Sequence, residues 1–336
     1  MEEVGMHVGL LGAGRIGAFH ARVLAASPLV DRLTVTDADP ERAERVAAEV
    51  GGACAVSPEA LVERGADALV IAAATPAHAP LIHLAASAGL PAFCEKPVAL
   101  DLETTDAVLD HVAAAGTMLQ IGFQRRFDPG YLAAREAVLS GALGDLSVVR
   151  ALTHDPAPPP EAYVAASGGI WRDLLIHDFD VLPWVTCREV VEVYADGTAG
   201  SEVFVRHGDV DAAAAVVRFA GGLVGVVSGS RLDPLGYDVR LELFGSRDSI
   251  AVGLDERMPL RSAEPGVGAP SQPGYRDFME RFAAAYEAEL RAFLEAVRDG
   301  RPSPCDGADA RQALRVALAA ERSWREHRPV HVAEIQ

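Results

Sequence analysis

Three stretches carry residue types whose spacing could do chemistry. Gly12-Ala13-Gly14-Arg15-Ile16-Gly17 is a GxGxxG. Its first glycine suits a tight strand-to-helix turn, its second lets the backbone approach a pyrophosphate, and its third lets the helix pack closely on the sheet. Asp37 follows Gly17 where an acidic side chain binds the adenosine ribose hydroxyls and repels a 2′-phosphate. NAD is therefore expected over NADP, with Arg42 the one nearby argument for the phosphorylated form. The second stretch is Cys94-Glu95-Lys96-Pro97, which holds the only lysine among 30 Lys plus Arg. An ammonium beyond the carboxyl end of an α/β strand faces the cofactor crevice, where it can donate to a substrate hydroxyl and favour a developing alkoxide. The third runs from Ser167 to Asp180. On one helix, Asp173, His177 and Asp180 would share a face that Trp184 continues, and an imidazole flanked by carboxylates can take the proton of an alcohol as its hydride leaves. The bland alternatives are a surface lysine and a solvated helix face bearing an ion pair.

These residues need elements to position them. Short apolar runs at Met6–Leu11, Leu33–Thr36, Ala53–Val56, Ala68–Ala73, Ala92–Cys94 and Met118–Gly122 alternate with helical patterns at Arg15–Ala26, Pro40–Val50, Pro58–Glu63, His78–Ala88 and Leu102–Ala115. That alternation predicts an α/β Rossmann domain, a doubly wound parallel sheet, over residues 1–122. Asp39 and Pro40 form a good helix start, a capping acceptor followed by a residue with no N–H to lose. Beyond Phe123 the pattern predicts helices at Pro129–Leu139 and Ile170–Val185. Strands are expected at Val190–Tyr194, Val203–Arg206, Ala212–Phe219, Leu223–Ser230, Val239–Phe244 and Ser249–Val252, then helices at Tyr275–Arg298 and Gly307–Glu326. Strands that follow one another through turns such as Ala220-Gly221-Gly222 imply an α+β domain with a large, mostly antiparallel open sheet over residues 123–336. The proline-rich segment 156–160 reads as a rigid loop.

The 336 residues, half of them apolar, suffice for two domains, and a net charge of −18 argues against nucleic acid as a partner. The acidic start, Met1 to Gly5, lacks the features of a signal peptide, and no apolar run is long enough for a membrane span. Cys54, Cys94, Cys187 and Cys305 form no CxxC pair, which points to reduced thiols in a cytoplasm. The histidines form no metal-binding pattern, so no metal is expected.

The chain resembles the Gfo/Idh/MocA oxidoreductase family, and within it the inositol 2-dehydrogenases. The resemblance runs through GAGRIG, Glu95-Lys96-Pro97, the stretch Gly122 to Pro129, the segment His154 to His177, and Gly236-Tyr237-Asp238. It implies Lys96, Asp173 and His177 as the catalytic triad. It also implies Gly12, Gly14, Arg15, Ile16, Gly17, Asp37, Thr75, Pro76, Glu95 and Lys96 at the NAD, and Arg126, His154, Asp155 and Tyr237 joining the triad around a polyol. The activity implied is oxidation of a ring secondary alcohol, myo-inositol to its 2-keto form, in a homo-oligomer, tetramer or dimer, associated through the C-terminal sheet. Another inositol isomer or an aldose such as glucose, or a non-catalytic NAD- and sugar-sensing regulator, are the alternatives. Gln124 stands where many relatives have asparagine, and Pro80 where they have histidine; His78 reads as a loop or helix-start residue.

Overall fold

The computed structural model describes residues 5–336, so Met1 to Val4, on which the reading of the N-terminus rests, lie outside the described residues. The chain divides into two compact units, Met1–Gln124 with Ala284–Arg311, and Arg125–Ala283 with Gln312–Gln336. The sequence reading ended the first domain at Gly122 and gave everything after it to the second.

In the first unit, strands β1 (Met6–Leu11), β2 (Val30–Thr36), β3 (Ala53–Cys54), β4 (Ala68–Ile71), β5 (Ala92–Glu95) and β6 (Leu119–Gly122) form one parallel sheet in the order β3-β2-β1-β4-β5-β6. The order reverses between β1 and β4, and the carboxyl ends of strands at such a switch point make a ligand crevice. The crossovers are helices α1 (Arg15–Ala26), α2 (Pro40–Val50), α3 (Pro58–Glu63), α4 (His78–Ser87) and α5 (Leu102–Ala115). Local chemistry sets their ends: Asp39 accepts from the Arg42 N–H to start α2, and Gly51 closes it at φ 69°.

The second unit contains α6 (Pro129–Leu139), β7 (Leu146–His154), α7 (Glu161–Val164), α8 (Gly169–Asp173), α9 (Ile176–Thr186), β8 (Val190–Thr198), α10 (Glu202–Arg206), β9 (Ala212–Phe219), β10 (Val224–Ser230), β11 (Asp238–Gly245), β12 (Ser249–Val252) and α11 (Phe278–Arg281). After α12 (Ala283–Asp299) and α13 (Gly307–Glu326), β13 (Val330–His331) completes its sheet, ordered β12-β11-β7-β10-β9-β8-β13. Only β7 and β10 pair in parallel; the other neighbours are antiparallel, as the sequence pattern implied.

Four expectations need correction. No strand was expected at β7, whose alternation is diluted by Arg150, Thr153 and His154, yet it lies between β10 and β11. Val203–Arg206, expected as a strand, is the short helix α10, because the Ser201 hydroxyl accepts from the Val203 N–H and starts a helical turn that buries Phe204. The single helix expected over Ile170–Val185 is broken at Leu174–Leu175 into α8 and α9. The one expected over Tyr275–Arg298 breaks at the fully buried Phe282. Its longer part, α12, packs Leu290, Phe293 and Leu294 into the same core as Val8, Leu10, Val70 and Phe93 of the parallel sheet. Burying each such side chain contributes about 1.5–3 kcal/mol, which explains why this helix joins the first unit.

Candidate active site

In the first unit the loop after β1 is built around its three glycines. Gly12 has φ +102°, and a Cβ there would lie 2.5 Å from the Ala73 nitrogen, so no other residue fits the turn. A Cβ on Gly17 would lie 2.0 Å from the Gly12 carbonyl oxygen, the close approach of α1 to the strand end. Gly14 meets nothing within 4 Å, leaving open space before α1, whose first turn has no acidic residue and no side-chain cap. Uncapped N–H groups at a helix start bind phosphate, so this cradle fits a dinucleotide pyrophosphate. Arg15 is exposed at that helix start and Ile16 packs against the core. Asp37, just beyond β2, accepts from the Ala13 N–H at 2.6 Å and the Asp39 N–H at 2.8 Å, which sets its carboxylate beside the glycine loop. Arg42 approaches it at 3.5 Å.

Thr75 and Pro76 lie in a 3₁₀ turn beyond β4. His78, read from the sequence as a loop or helix-start residue, stands at the start of α4 and is buried. Its Nδ1 lies 2.7 Å from the Pro97 carbonyl oxygen and its Nε2 3.0 Å from that of Ala73. The imidazole thus ties the Thr75–Pro76 loop to the corner that carries Lys96. Lys96 itself is partly buried directly after β5, and its peptide bond to Pro97 is cis. The preceding Glu95 points its carboxylate at His20, Oε1 to Nε2 being 2.7 Å.

The second unit gathers its polar residues at one end of the sheet. Parallel pairing sets His154 of β7 against Ser230 of β10, and antiparallel pairing sets it against Asp238 of β11, so His154-Asp155, Arg231 and Tyr237-Asp238 meet there. Arg231 is the hub. It donates to Asp173 Oδ2 at 2.7 Å and to Asp155 Oδ2 at 3.1 Å, while Tyr163 donates its hydroxyl to Asp173 Oδ1 at 2.8 Å. Burial works against the Arg231 charge, but the Asp173 and Asp155 carboxylates outweigh it and hold the guanidinium protonated. Burial, with Asp173 alongside, pushes the Tyr163 phenol well above its usual range, so it remains a donor. Tyr237 is buried with its ring edge-on to Phe282, its ionisation also opposed by burial.

Asp173 and His177 do not lie on one continuous helix, which corrects the simple face expected from their spacing. Asp173 ends α8 and the half-buried His177 lies in the first turn of α9. Two ion pairs fix α9 instead. Asp178, fully buried, accepts from Arg125 at 2.7 Å and from the Thr153 hydroxyl at 2.7 Å. Asp180 takes Arg126 bidentately at 2.6 and 3.0 Å, so the guanidinium expected at the substrate is also a support for the helix that carries His177. Asp180, three residues after His177 on α9, is the acceptor of this pair. Arg231 and Tyr163 were missed from the sequence. An arginine next to a strand end gives no local signal because its partners are 58 and 76 residues away, and a tyrosine in the four-residue helix α7 gives none because no period links it to Asp173, ten residues on.

One cluster of possible metal ligands lies here, His154, Asp233 and Asp238. Asp238 is held bidentately by Arg240, and Asp233 Oδ2 lies 3.6 Å from His154 Nδ1. No helix among the described residues is long and apolar enough to cross a membrane.

A glycine cradle with a carboxylate beside it on a doubly wound sheet, and a polar second unit that offers an imidazole and a fixed carboxylate, are the features of a dinucleotide-dependent oxidoreductase. The chain belongs to the Gfo/Idh/MocA family: residues 6–123 match the oxidoreductase family's NAD-binding Rossmann fold and residues 131–251 its GFO/IDH/MocA C-terminal domain. It is 42% identical to a myo-inositol dehydrogenase of Streptomyces leeuwenhoekii over 95% of this chain and 97% of that one. The fold matches a crystal structure described as a putative myo-inositol dehydrogenase from Sinorhizobium meliloti with TM-score 0.91 and 35% identity, covering 97% of this chain and 99% of the other. It also matches a Lactobacillus casei scyllo-inositol dehydrogenase with bound NAD(H) and scyllo-inositol, with TM-score 0.88 and 27% identity over 98% of this chain and all of the other.

Proposed function

We propose that the protein oxidises a ring secondary alcohol of a cyclic polyol, myo-inositol to its 2-keto form, with NAD as the acceptor. The observation that carries this reading is the fixed carboxylate of Asp173, buried and held by Arg231 and Tyr163, four residues before an imidazole, in a chain 42% identical to a myo-inositol dehydrogenase. NAD, when bound, supplies the hydride acceptor. His177 takes the hydroxyl proton, Asp173 orients His177 and accepts from the substrate, and Lys96 donates to the reacting oxygen as it gains carbonyl character. Gly12, Gly14, Arg15, Ile16, Gly17, Asp37, Thr75, Pro76 and Glu95 serve the cofactor. Arg126, His154, Asp155 and Tyr237 serve an uncharged substrate rich in hydroxyls, which needs mixed donors and acceptors.

scyllo-Inositol is the second reading, because a structural relative carries it. We also infer a homo-oligomer. On β8, β9 and β10 one sheet face is exposed and partly apolar, with Tyr194 opposite Val216 and Val216 opposite Val226, a surface suited to association. The four free cysteines fit a cytoplasmic setting.

The test is NADH absorbance with myo-inositol, scyllo-inositol, other inositol isomers and glucose, each with NAD and NADP. The expected result is greatest kcat/KM with myo-inositol and NAD. Glucose outpacing every cyclitol, or NADP outpacing NAD, would sink the assignment.

A further inference from the structure

The Glu95–Lys96–Pro97 corner rests on a buried group of ionisable side chains that the proposed chemistry does not use. His20 is fully buried on the inner face of α1, beside Gly17, Ala21 and Leu24. Its Nε2 meets Glu95 Oε1 at 2.7 Å, and its ring packs edge-on against Phe93 and Tyr286. Glu289, on α12, is fully buried, and neither of its carboxyl oxygens has a hydrogen-bond partner. One ligand atom from each of His20, Glu95 and Glu289 lies within 4.8 Å of the others. Gly122 leaves the space: a Cβ there would come within 3.2 Å of Glu95 Oε2 and 2.8 Å of the Phe93 ring. The Gln120 amide of β6 anchors α12 by donating to the Glu289 backbone carbonyl at 3.0 Å.

A buried, unpartnered carboxylate beside a second carboxylate is an unfavourable arrangement in a low dielectric, since both desolvation and like-charge repulsion act against it. The ionisable groups that meet Glu289 are His20 from α1 and Glu95 from β5. A proton relieves both penalties. We propose that Glu289 is carried as a neutral carboxylic acid, and that with His20 it forms a positioning cluster behind Glu95 that holds the Lys96 corner in register. Burial first, and then the charge of Glu95, push the Glu289 carboxyl well above its usual range, consistent with that geometry. The positioning role rests on the proposed part of Lys96 in turnover; the protonation state does not.

The sign of the linkage gives a test independent of activity. A carboxyl whose folded pKa is raised keeps its proton in the native state and loses it on unfolding, so its contribution falls as pH rises above the unfolded value. Glu289→Gln mimics the neutral acid and removes that dependence. Urea unfolding of the whole chain at a series of pH values from about 5 to about 8 should show the folding constant of Glu289→Gln gaining on the parent by up to about tenfold per pH unit. Infrared spectra should also show a protonated-carboxyl stretch in the parent that Glu289→Gln lacks. In turnover, Glu289→Ala should lower kcat by about tenfold or more with the NAD Kd little changed, and Glu289→Gln should restore most of it. A stability difference that is flat or falls with pH overturns the neutral acid, as does a stoichiometric divalent cation at this cluster in metal analysis of the purified protein. Equal kcat loss in the Ala and Gln variants, or none in Ala, overturns the positioning role. A protein inactive on every polyol but showing the rising stability difference would refute the proposed function and leave the neutral acid standing.

Discussion

The glycine loop at 12–17 offers backbone N–H groups and the space its missing side chains leave. The corner around Arg231 instead works through charged and phenolic groups from the ends of β7 and β10, α8, and Tyr163 at the end of α7. The first kind of site is made by neighbours in the chain; the second is assembled across 58 residues between Arg231 and Asp173 and 76 between Arg231 and Asp155. A backbone site tolerates loss of any side chain that is not in the way, whereas a side-chain network leaves a buried charge exposed to loss of its partner.

That contrast can be attacked directly. The largest effect is expected at Lys96, which belongs to the first unit yet is proposed to act on the substrate. Lys96→Arg should lower kcat by about 10²–10⁴-fold with the NAD Kd within a few-fold of the parent, because a planar guanidinium neither fits nor shares its proton like an ammonium. Stopped-flow hydride transfer and fluorescence titration with NADH check it; preserved turnover would make Lys96 an ordinary nucleotide-site residue.

Next comes Arg231→Met, which leaves the Asp155 and Asp173 carboxylates without their shared counter-charge. It should destabilise folding by about 3–5 kcal/mol and depress turnover in whatever fraction folds. Denaturant unfolding that moved by less than about 1 kcal/mol would show that the network is dispensable. Smallest is Gly14→Ala. Its Cβ meets nothing within 4 Å and its backbone is not left-handed, so stability should change by less than about 1 kcal/mol. Its NAD Kd should nevertheless rise by about tenfold, since the added methyl occupies the space left for the pyrophosphate. A variant that lost stability but not affinity would reverse the comparison.

The same contrast explains what could be read from the sequence. Helices α1, α2, α3 and α5 have the bounds expected; in α2, α3 and α5 capping residues such as Asp39 and closing residues such as Gly51 act on their immediate neighbours. The glycine loop and Asp37 were legible for the same reason. β7 was not, since one of its buried positions is the polar Thr153 and its exposed ones mix Ser147 and Arg150 with partly buried apolar residues, which weakens the alternation. The amphipathic pattern of α12 revealed an apolar face but not which sheet it covers, so its membership of the first unit was hidden. The break between α8 and α9 was hidden too, because Leu174 and Leu175 are good helix formers whose burial overrides that preference. Arg231 owes its importance to partners 58 and 76 residues away, which no local window contains, and Tyr163 to Asp173, a neighbour ten residues on that no helix or strand period pairs with it.

The buried ring of His78 has a further consequence. Its two nitrogens face two carbonyl oxygens, of Pro97 and Ala73, and neither oxygen can donate in return. Burial lowers the imidazole's affinity for a second proton, so the neutral ring has one N–H to divide between them. Satisfying the loop beyond β4 releases the corner beyond β5, and satisfying the corner releases the loop. The choice of tautomer therefore makes the firmness of one segment the slack of the other, and any event that takes over one of those carbonyls tightens the opposite segment without touching it.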